Sequence, residues 1–494
     1  MFWKFKRRFR IGMLRSGFYY CCVVICLILV MNLLALKLNF ETIEGENYID
    51  AGGTTLPSER KLQNIDVHYP FFNDLNPNMF VSRQGLRHTY ENRLRKLLEI
   101  METNLDNSAA KIVTEKTLPY EAYFPERLLY CDDVMNITDM TYMASGWTKA
   151  VFKGTFKGRQ VAVKTVDVNG QDVTTCRDAG RSETDCYVKA AKKIVKEIVV
   201  LQALANDNVL KVLGFCLPRD ADDNLYVAMV TELGESVDLI KLLQMSWEDR
   251  LRICLDITKI VAMMSETPYG SMSMNDFRRQ QFVLVDGVLK LSDVDDSGFD
   301  DSHCASPRDC DVKFSSTNFS QRSRCIRGRC IEYNEKKNIY NAGRHFVTFL
   351  LPHGAPHTLR PIISEILDGY KNLTMTSKRL LVVMKRLTRL YESGWYLNRT
   401  SPAKYTSSYK MVDNTDMPGF HDYRCRMSVS MATCTWSAYD VREAEDVCSA
   451  DDECKAFVVA PYKTWTGRTV VHFKNGVGSL AHNPNTTLYV KPGL

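Results

Sequence analysis

The pattern of apolar and polar positions changes several times along the chain. Residues 18–36 form a 19-residue run whose markedly polar member is Asn32. A helix needs about 20 apolar residues to cross a hydrocarbon core, so this run predicts a spanning helix. The stretch after it, through Gly52, Gly53 and Pro57, is loop-like. A charged amphipathic helix is expected over 86–101, with Leu94, Leu97, Leu98 and Met101 on the face that packs on the main domain. From about Met140 the pattern becomes mixed. Residues 151–164 read as two strands joined by Lys157-Gly158, and Gln160-Val-Ala-Val-Lys164 alternates as a strand does. A loop with Gly170, Gly180 and a Cys176/Cys186 pair precedes a helix expected over 189–204. A strand follows at 225–232, then a helix at 246–264 opened by a capping box of Ser246 and Asp249. Residues 282–293 predict a hairpin turning at Asp286-Gly287. A cysteine-rich stretch (297–333), helices to about 397 and a linker (401–418) lead to a last module, with a helix at 444–448 and a strand at 457–460.

Charge orients this arrangement. Residues 1–17 carry Lys4, Lys6, Arg7, Arg8, Arg10 and Arg15 and no acidic residue. Basic flanks stay cytoplasmic, so 1–17 is expected as a cytoplasmic tail, 18–36 as a retained signal anchor rather than a cleaved signal peptide, and 37–137 as a luminal stem. Three of the 16 cysteines (Cys21, Cys22, Cys26) lie in the span and the other 13 lie beyond it. Asn-x-Ser/Thr acceptors occur at Asn136, Asn318, Asn372, Asn398 and Asn485, all on the expected luminal side. Paired cysteines and acceptors behind an anchor indicate an oxidising, secretory environment. With 13 luminal cysteines one thiol stays unpaired in a monomer, and Cys254, inside an apolar helix, is the expected buried free thiol. The net charge of +6 is spread over both signs and forms no basic stripe, which excludes nucleic acid as a partner.

The chemistry lies in the order of the elements: strand with lysine, helix with glutamate, strand, helix, aspartate loop, hairpin, aspartate. That is the order of a protein kinase. Lys164 ends Val-Ala-Val-Lys, where kinases hold the α- and β-phosphates. Glu197 borders the apolar face made by Ile194, Ile198 and Leu201, and an inward carboxylate needs a cation, so Lys164 is its expected partner. The phosphate-covering loop, Ala144-Ser-Gly146-Trp-Thr-Lys149-Ala-Val151, keeps Gly146 and Val151 of the usual Gly-x-Gly-x-x-Gly-x-Val. Lys149 there reads equally as a phosphate contact or a solvated lysine. Thr231 takes the gatekeeper position, and the backbone of Glu232 and Leu233 is expected to pair with adenine. Asp276 is the expected catalytic base, Arg278 stands where kinases place a phosphate-facing lysine, and Gln281 stands where asparagine holds a second metal. Asp293-Val-Asp295-Asp296 replaces Asp-Phe-Gly, with Asp293 expected to bind Mg²⁺ or Mn²⁺ beside ATP. The extra charges of Asp295 and Asp296 favour tighter divalent binding or use of Mn²⁺.

Met274-Asn275 replaces the usual His-Arg, so a phosphate on the activation segment has no reader. That segment instead carries Cys304, Cys310, Cys325 and Cys330, which predict two disulfides of open connectivity that hold it in place. Cys425, Cys434, Cys448 and Cys454 are further disulfide candidates.

The catalytic loop and hairpin from Asp276 to Asp296, the cysteine-rich segment, Asn334-Glu-Lys-Lys-Asn-Ile-Tyr-Asn341, Phe349-Leu-Leu-Pro-His353 and Thr464-Trp-Thr-Gly-Arg468 resemble the vertebrate lonesome kinase family over about residues 120–494. The resemblance implies ATP-dependent phosphorylation of tyrosine on secreted, extracellular-matrix and luminal proteins, from the Golgi or after secretion. The expected fold is α+β: a two-lobed kinase at 138–397, on a type II Golgi membrane anchor, followed by a linker and cysteine-rich module at 398–494. Two other readings compete. A luminal glycan kinase would share the transfer chemistry. A pseudokinase scaffold would account for the degraded loop, Asn275, Gln281 and Asp295, with the last module either binding a partner or capping the kinase.

Overall fold

The computed structural model describes residues 128–493 apart from 205, 218–226, 268, 300, 315–318, 400–406, 420 and 426–432. The expected tail, anchor and 86–101 helix, nearly all of the stem, and Asn318 lie outside the described residues. Among the described residues no helix is long and apolar enough to cross a membrane.

The first layer is an antiparallel sheet of β1 (Thr138–Ser145), β2 (Lys149–Phe156), β3 (Arg159–Val166), β4 (Val212–Cys216) and β5 (Ala228–Glu232), in the order β1-β2-β3-β5-β4. Lys157 and Gly158, both at positive φ, make the tight turn that the right-handed twist of β2 and β3 favours. Ahead of the sheet lies α1 (Cys131–Met135). The stretch read as a loop contains α2 (Gln171–Asp178), and the helix expected from 189 starts earlier, as α3 (Glu183–Ala203). The physical reason is local. The Ser182 hydroxyl caps α3 by accepting from the Asp185 N–H, and the Cys176–Cys186 disulfide holds α2 against its first turn. Ile194, Ile198 and Leu201 of α3 are buried as their spacing requires.

A second disulfide, Cys131–Cys216, spans 85 positions and ties α1 to β4. It forms where Leu129 lies against Gly214; a Cβ on that glycine would meet the Leu129 carbonyl at 2.3 Å. Replacing both cysteines by serine is expected to cost about 4 kcal/mol of stability, because so long a loop is then open in the unfolded chain. Urea unfolding measures this, and a loss below about 1 kcal/mol contradicts it.

Helices dominate the next part: α4 (Leu239–Gln244), α5 (Trp247–Ser265), α6 (Tyr333–Ala342), α7 (Thr348–Leu350), α8 (Arg360–Asn372) and α9 (Ser377–Glu392). Ser246 caps α5 through the Asp249 N–H. One apolar core joins Ile194 and Leu201 of α3, Leu251, Ile257 and Ile260 of α5, and Ile366, Leu380 and Leu387 of α8 and α9. Cys254 lies in it as the buried free thiol, and burial pushes its pKa up. β6 (Glu235–Ser236), β8 (Phe282–Val285) and β9 (Val288–Leu291) form a small sheet, in which Asp286 and Gly287 at positive φ turn the hairpin. β7 (Ser273–Met274) pairs with β10 (Ser297–Gly298).

The cysteine-rich segment folds into two ribbons, β11 (Asp311–Lys313) with β12 (Ser320–Arg322) and β13 (Arg324–Ile326) with β14 (Arg329–Ile331). Cys304–Cys325 and Cys310–Cys330 lock them together. Phe314 and Phe319 stack on Tyr340 of α6, which fastens the segment to the helices.

The expected linker is not all linker. Within it, β15 (Lys410–Asp416) pairs with β19 (Ala481–Val490) at the edge of a sheet that also holds β16 (Cys434–Ala438), β17 (Ala456–Lys463) and β18 (Thr469–Lys474). α10 (Val441–Ala450) covers this sheet, and Cys425–Cys434 and Cys448–Cys454 close the module. The turn between β17 and β18 is Thr464-Trp-Thr-Gly-Arg468, and it docks on the helical part. The Thr466 hydroxyl donates to Glu248 of α5, and Trp465 packs on the main core. Arg468 is 1% exposed, pairs with Glu443 at 2.6 Å and lies over the Tyr391 ring at 4.3 Å. The module is therefore packed against the helices as a cap.

Candidate active site

Lys164 reaches inward because β3 is buried along its second half. Its ammonium lies 2.6 Å from Glu197 Oε1 and donates to the Ser292 carbonyl and hydroxyl, each at 3.1 Å. Glu197 is fully buried on α3, where its spacing from Ile194 and Leu201 puts it. Its neighbour Lys196 donates to the carbonyls of Asp295 (2.7 Å) and Ser297 (2.6 Å), so one turn of α3 fixes both the lysine and the chain after Asp293.

Lys149 is not the solvated lysine that was one of its two readings. It is 7% exposed, and its ammonium lies 2.5 Å from Glu197, 2.8 Å from Asp293 and 2.9 Å from Asp295. Burial opposes that charge, but the three carboxylates hold Lys149 well above the usual lysine range. Burial also works against ionisation of Asp293, yet Lys149 and Lys164 outweigh it and bring Asp293 to about 2. Burial, with Asp293 alongside, raises Asp295. The folded pKa of Asp293 is thus below its unfolded value of about 3.9. Its contribution to stability is fully present above about pH 4 and lost as pH falls toward 2. Asp293→Asn is therefore expected to flatten the loss of stability between pH 4 and 2, read by chemical unfolding at each pH; an unchanged slope contradicts it.

Asp276, about a third exposed, accepts from Gln281 Nε2 at 2.8 Å and pairs with Arg278 Nε at 2.5 Å. Arg278 thus grips the base through Nε, with its side chain 56% exposed. Because the Gln281 amide nitrogen turns to Asp276, the amide oxygen, which a divalent cation needs, is left unengaged by it. The Gln281 carbonyl accepts the N–H groups of Ser292 and Asp293, at 2.9 and 3.1 Å, and so brings the two proposed metal residues together. Asn275, in the place of the usual arginine, links the Asp296 carbonyl (3.4 Å) to Lys337 (3.1 Å).

The oxygens of Glu197, Asp293 and Asp295 lie within 4.8 Å of one another. These are hard oxygen donors of the kind Mg²⁺ or Mn²⁺ takes, but the Lys149 ammonium already fills the cation place among them; Asp293, the most exposed of the three, is the one left to face a divalent ion. For the nucleotide, Thr231 is fully buried and its hydroxyl donates to the Glu232 carbonyl. The Glu232 N–H donates to Lys211, and its side chain pairs with Lys290 at 2.7 Å, so Leu233 is the freer of the two expected adenine partners. Gly146 donates to the Lys149 carbonyl and makes the turn between β1 and β2, and Val151 lies opposite Lys164 in the β2–β3 register. Outside the site, Asn136, Asn372, Asn398 and Asn485 are exposed, as acceptors of glycans must be.

Residues 191–370 match the family described as the protein-kinase domain of FAM69. The chain is also 40% identical over 368 residues to the human extracellular tyrosine-protein kinase PKDCC, covering 74% of each chain. The motifs around Lys164, Glu197, Asp276 and Asp293, their geometry and these two likenesses agree: the chain is a protein kinase and belongs to the vertebrate lonesome kinase family.

Proposed function

We propose that the chain phosphorylates tyrosine hydroxyls of secreted, extracellular-matrix or luminal proteins, using ATP with Mg²⁺ or Mn²⁺. The observation that carries this reading is the joined set of Lys164 on Glu197, Asp293 beside them, and Asp276 held by Gln281. Lys164 is suited to hold the α- and β-phosphates. Asp276 takes the proton of the acceptor hydroxyl as its oxygen bonds to the γ-phosphorus and ADP leaves. Asp293 and Gln281 would hold the divalent ion, which neutralises phosphate charge when bound. Tyrosine as the acceptor is supported by the name of the human relative.

Six disulfides in the described part, with exposed glycan acceptors, support a secretory or extracellular setting. In this reading the kinase is two-lobed and luminal at 138–397, on a stem at 37–137, anchored by 18–36 in the Golgi membrane, with cleavage of the stem as the route to secretion. The test offers purified enzyme tyrosine, serine and threonine peptides and a glycan acceptor side by side. Phosphotyrosine is expected. Phosphate on glycan alone makes it a glycan kinase, and no transfer by protein that binds ATP makes it a scaffold.

A further inference from the structure

Two departures from the usual kinase pattern meet in space. Lys149 stands where the third glycine of the phosphate-covering loop is expected, and Asp295 stands where Asp-Phe-Gly has its glycine. Each alone reads as decay of a motif. In the fold the Lys149 ammonium is 2.9 Å from the Asp295 carboxylate, and it also bridges Glu197 and Asp293. The extra positive charge on the loop and the extra negative charge beside the metal residue therefore compensate one another.

The loop is fastened on its other side as well. The Trp147 carbonyl accepts the Asp172 N–H at 2.9 Å, and the Thr148 carbonyl accepts the Asp167 N–H at 2.9 Å. The Thr148 hydroxyl donates to the Asp172 carboxylate, which pairs with Lys193 of α3 at 2.5 Å. A glycine-rich loop in this place must order itself when phosphates arrive. Here the contacts that order it are already made by the chain.

We propose that Lys149 is a positioning residue which, paired with Asp295, pins the loop to Glu197 and Asp293 and presets the phosphate- and metal-binding side of the site. The inference rests on the kinase reading and adds to it the device that sets the geometry. Lys149→Gly leaves the Glu197, Asp293 and Asp295 carboxylates with Lys164 as their nearby ammonium, and Asp295→Gly leaves Lys149 drawn onto Glu197 and Asp293 alone, so each single change shifts those two side chains; removing both returns the two positions to the glycines of an ordinary kinase.

The test is a double-mutant cycle on the full chain from a secretory host: Lys149→Gly, Asp295→Gly and the double variant, each assayed well below its own melting temperature, where it is fully folded. Affinity for a non-hydrolysable ATP analogue with Mn²⁺ is read by calorimetry, and transfer by kcat and KM for ATP. Each single variant is expected to weaken analogue binding about 10-fold and to lower kcat about 100-fold, and the double variant to recover to within about 10-fold of wild type in both. Losses in the double variant equal to the product of the single losses overturn the pairing, as does a Lys149→Gly protein with wild-type binding. Lys149→Met with Asp295→Asn repeats the cycle with side chains close in size if a glycine variant misfolds. The calorimetric cycle decides the pairing even if wild type transfers nothing, which would count against the kinase reading alone.

Discussion

Asp276→Asn is expected to lower phosphoryl transfer by about 10³-fold, within the range for loss of a positioned general base, while ATP-analogue binding and melting temperature stay close to wild type. Asparagine keeps the shape of the side chain and an oxygen for Gln281 Nε2, which now donates at 2.8 Å. It cannot take the proton of an acceptor hydroxyl, and it gives up the charge that Arg278 grips. The loss therefore falls in kcat rather than in KM for ATP. Transfer of labelled γ-phosphate, measured beside calorimetry on the same preparation, separates the two. A variant that loses nucleotide binding together with activity would place Asp276 in the support of the site rather than in its chemistry.

Arg468→Ala is expected to destabilise the protein by about 3–5 kcal/mol, the cost of breaking a buried ion pair from one side. The guanidinium is held between Glu443 of α10, the Tyr396 hydroxyl and the Tyr391 ring. Without it Glu443 stays buried and loses its cation, although it keeps the Tyr396 hydroxyl and the Tyr439 N–H. Because Tyr391 lies in the last turn of α9 and Glu443 belongs to the last module, the loss also loosens the seat of that module on the helices. Adding Glu443→Gln should restore part of the stability. Chemical unfolding of the single and double variants measures both effects. A loss under about 1 kcal/mol for Arg468→Ala would show that the turn lies on the helices without holding them.

What the sequence made legible and what it hid follow from the range of the interactions. The β8–β9 hairpin was readable because Asp286-Gly287 makes its turn within two residues, and Glu197 was readable because its neighbours on α3 repeat at helical spacing. The α2 helix was hidden in a glycine- and cysteine-bearing stretch, since a tertiary bond, Cys176–Cys186, does much to hold it. β15 was hidden because an edge strand with mostly exposed or half-buried residues shows little alternation. Cys131 and Cys216 gave no local pairing signal, being 85 positions apart. Lys149 was readable only together with Asp295. A lysine at a strand start is ordinarily solvated, and its three carboxylates come from α3 and from the turn after β9. The signal that was available was charge complementarity: two glycine positions of one motif set replaced by residues of opposite sign.

The decisive experiment is transfer from γ-labelled ATP by the full chain, followed by identification of the phosphorylated residue, beside Asp276→Ala and Lys164→Met. Phosphotyrosine is expected with wild type and none with either variant, while both variants keep their disulfides and Asp276→Ala also keeps its melting temperature. Variants that transfer as well as wild type, or a wild type that binds ATP and transfers to no acceptor, would contradict the kinase reading.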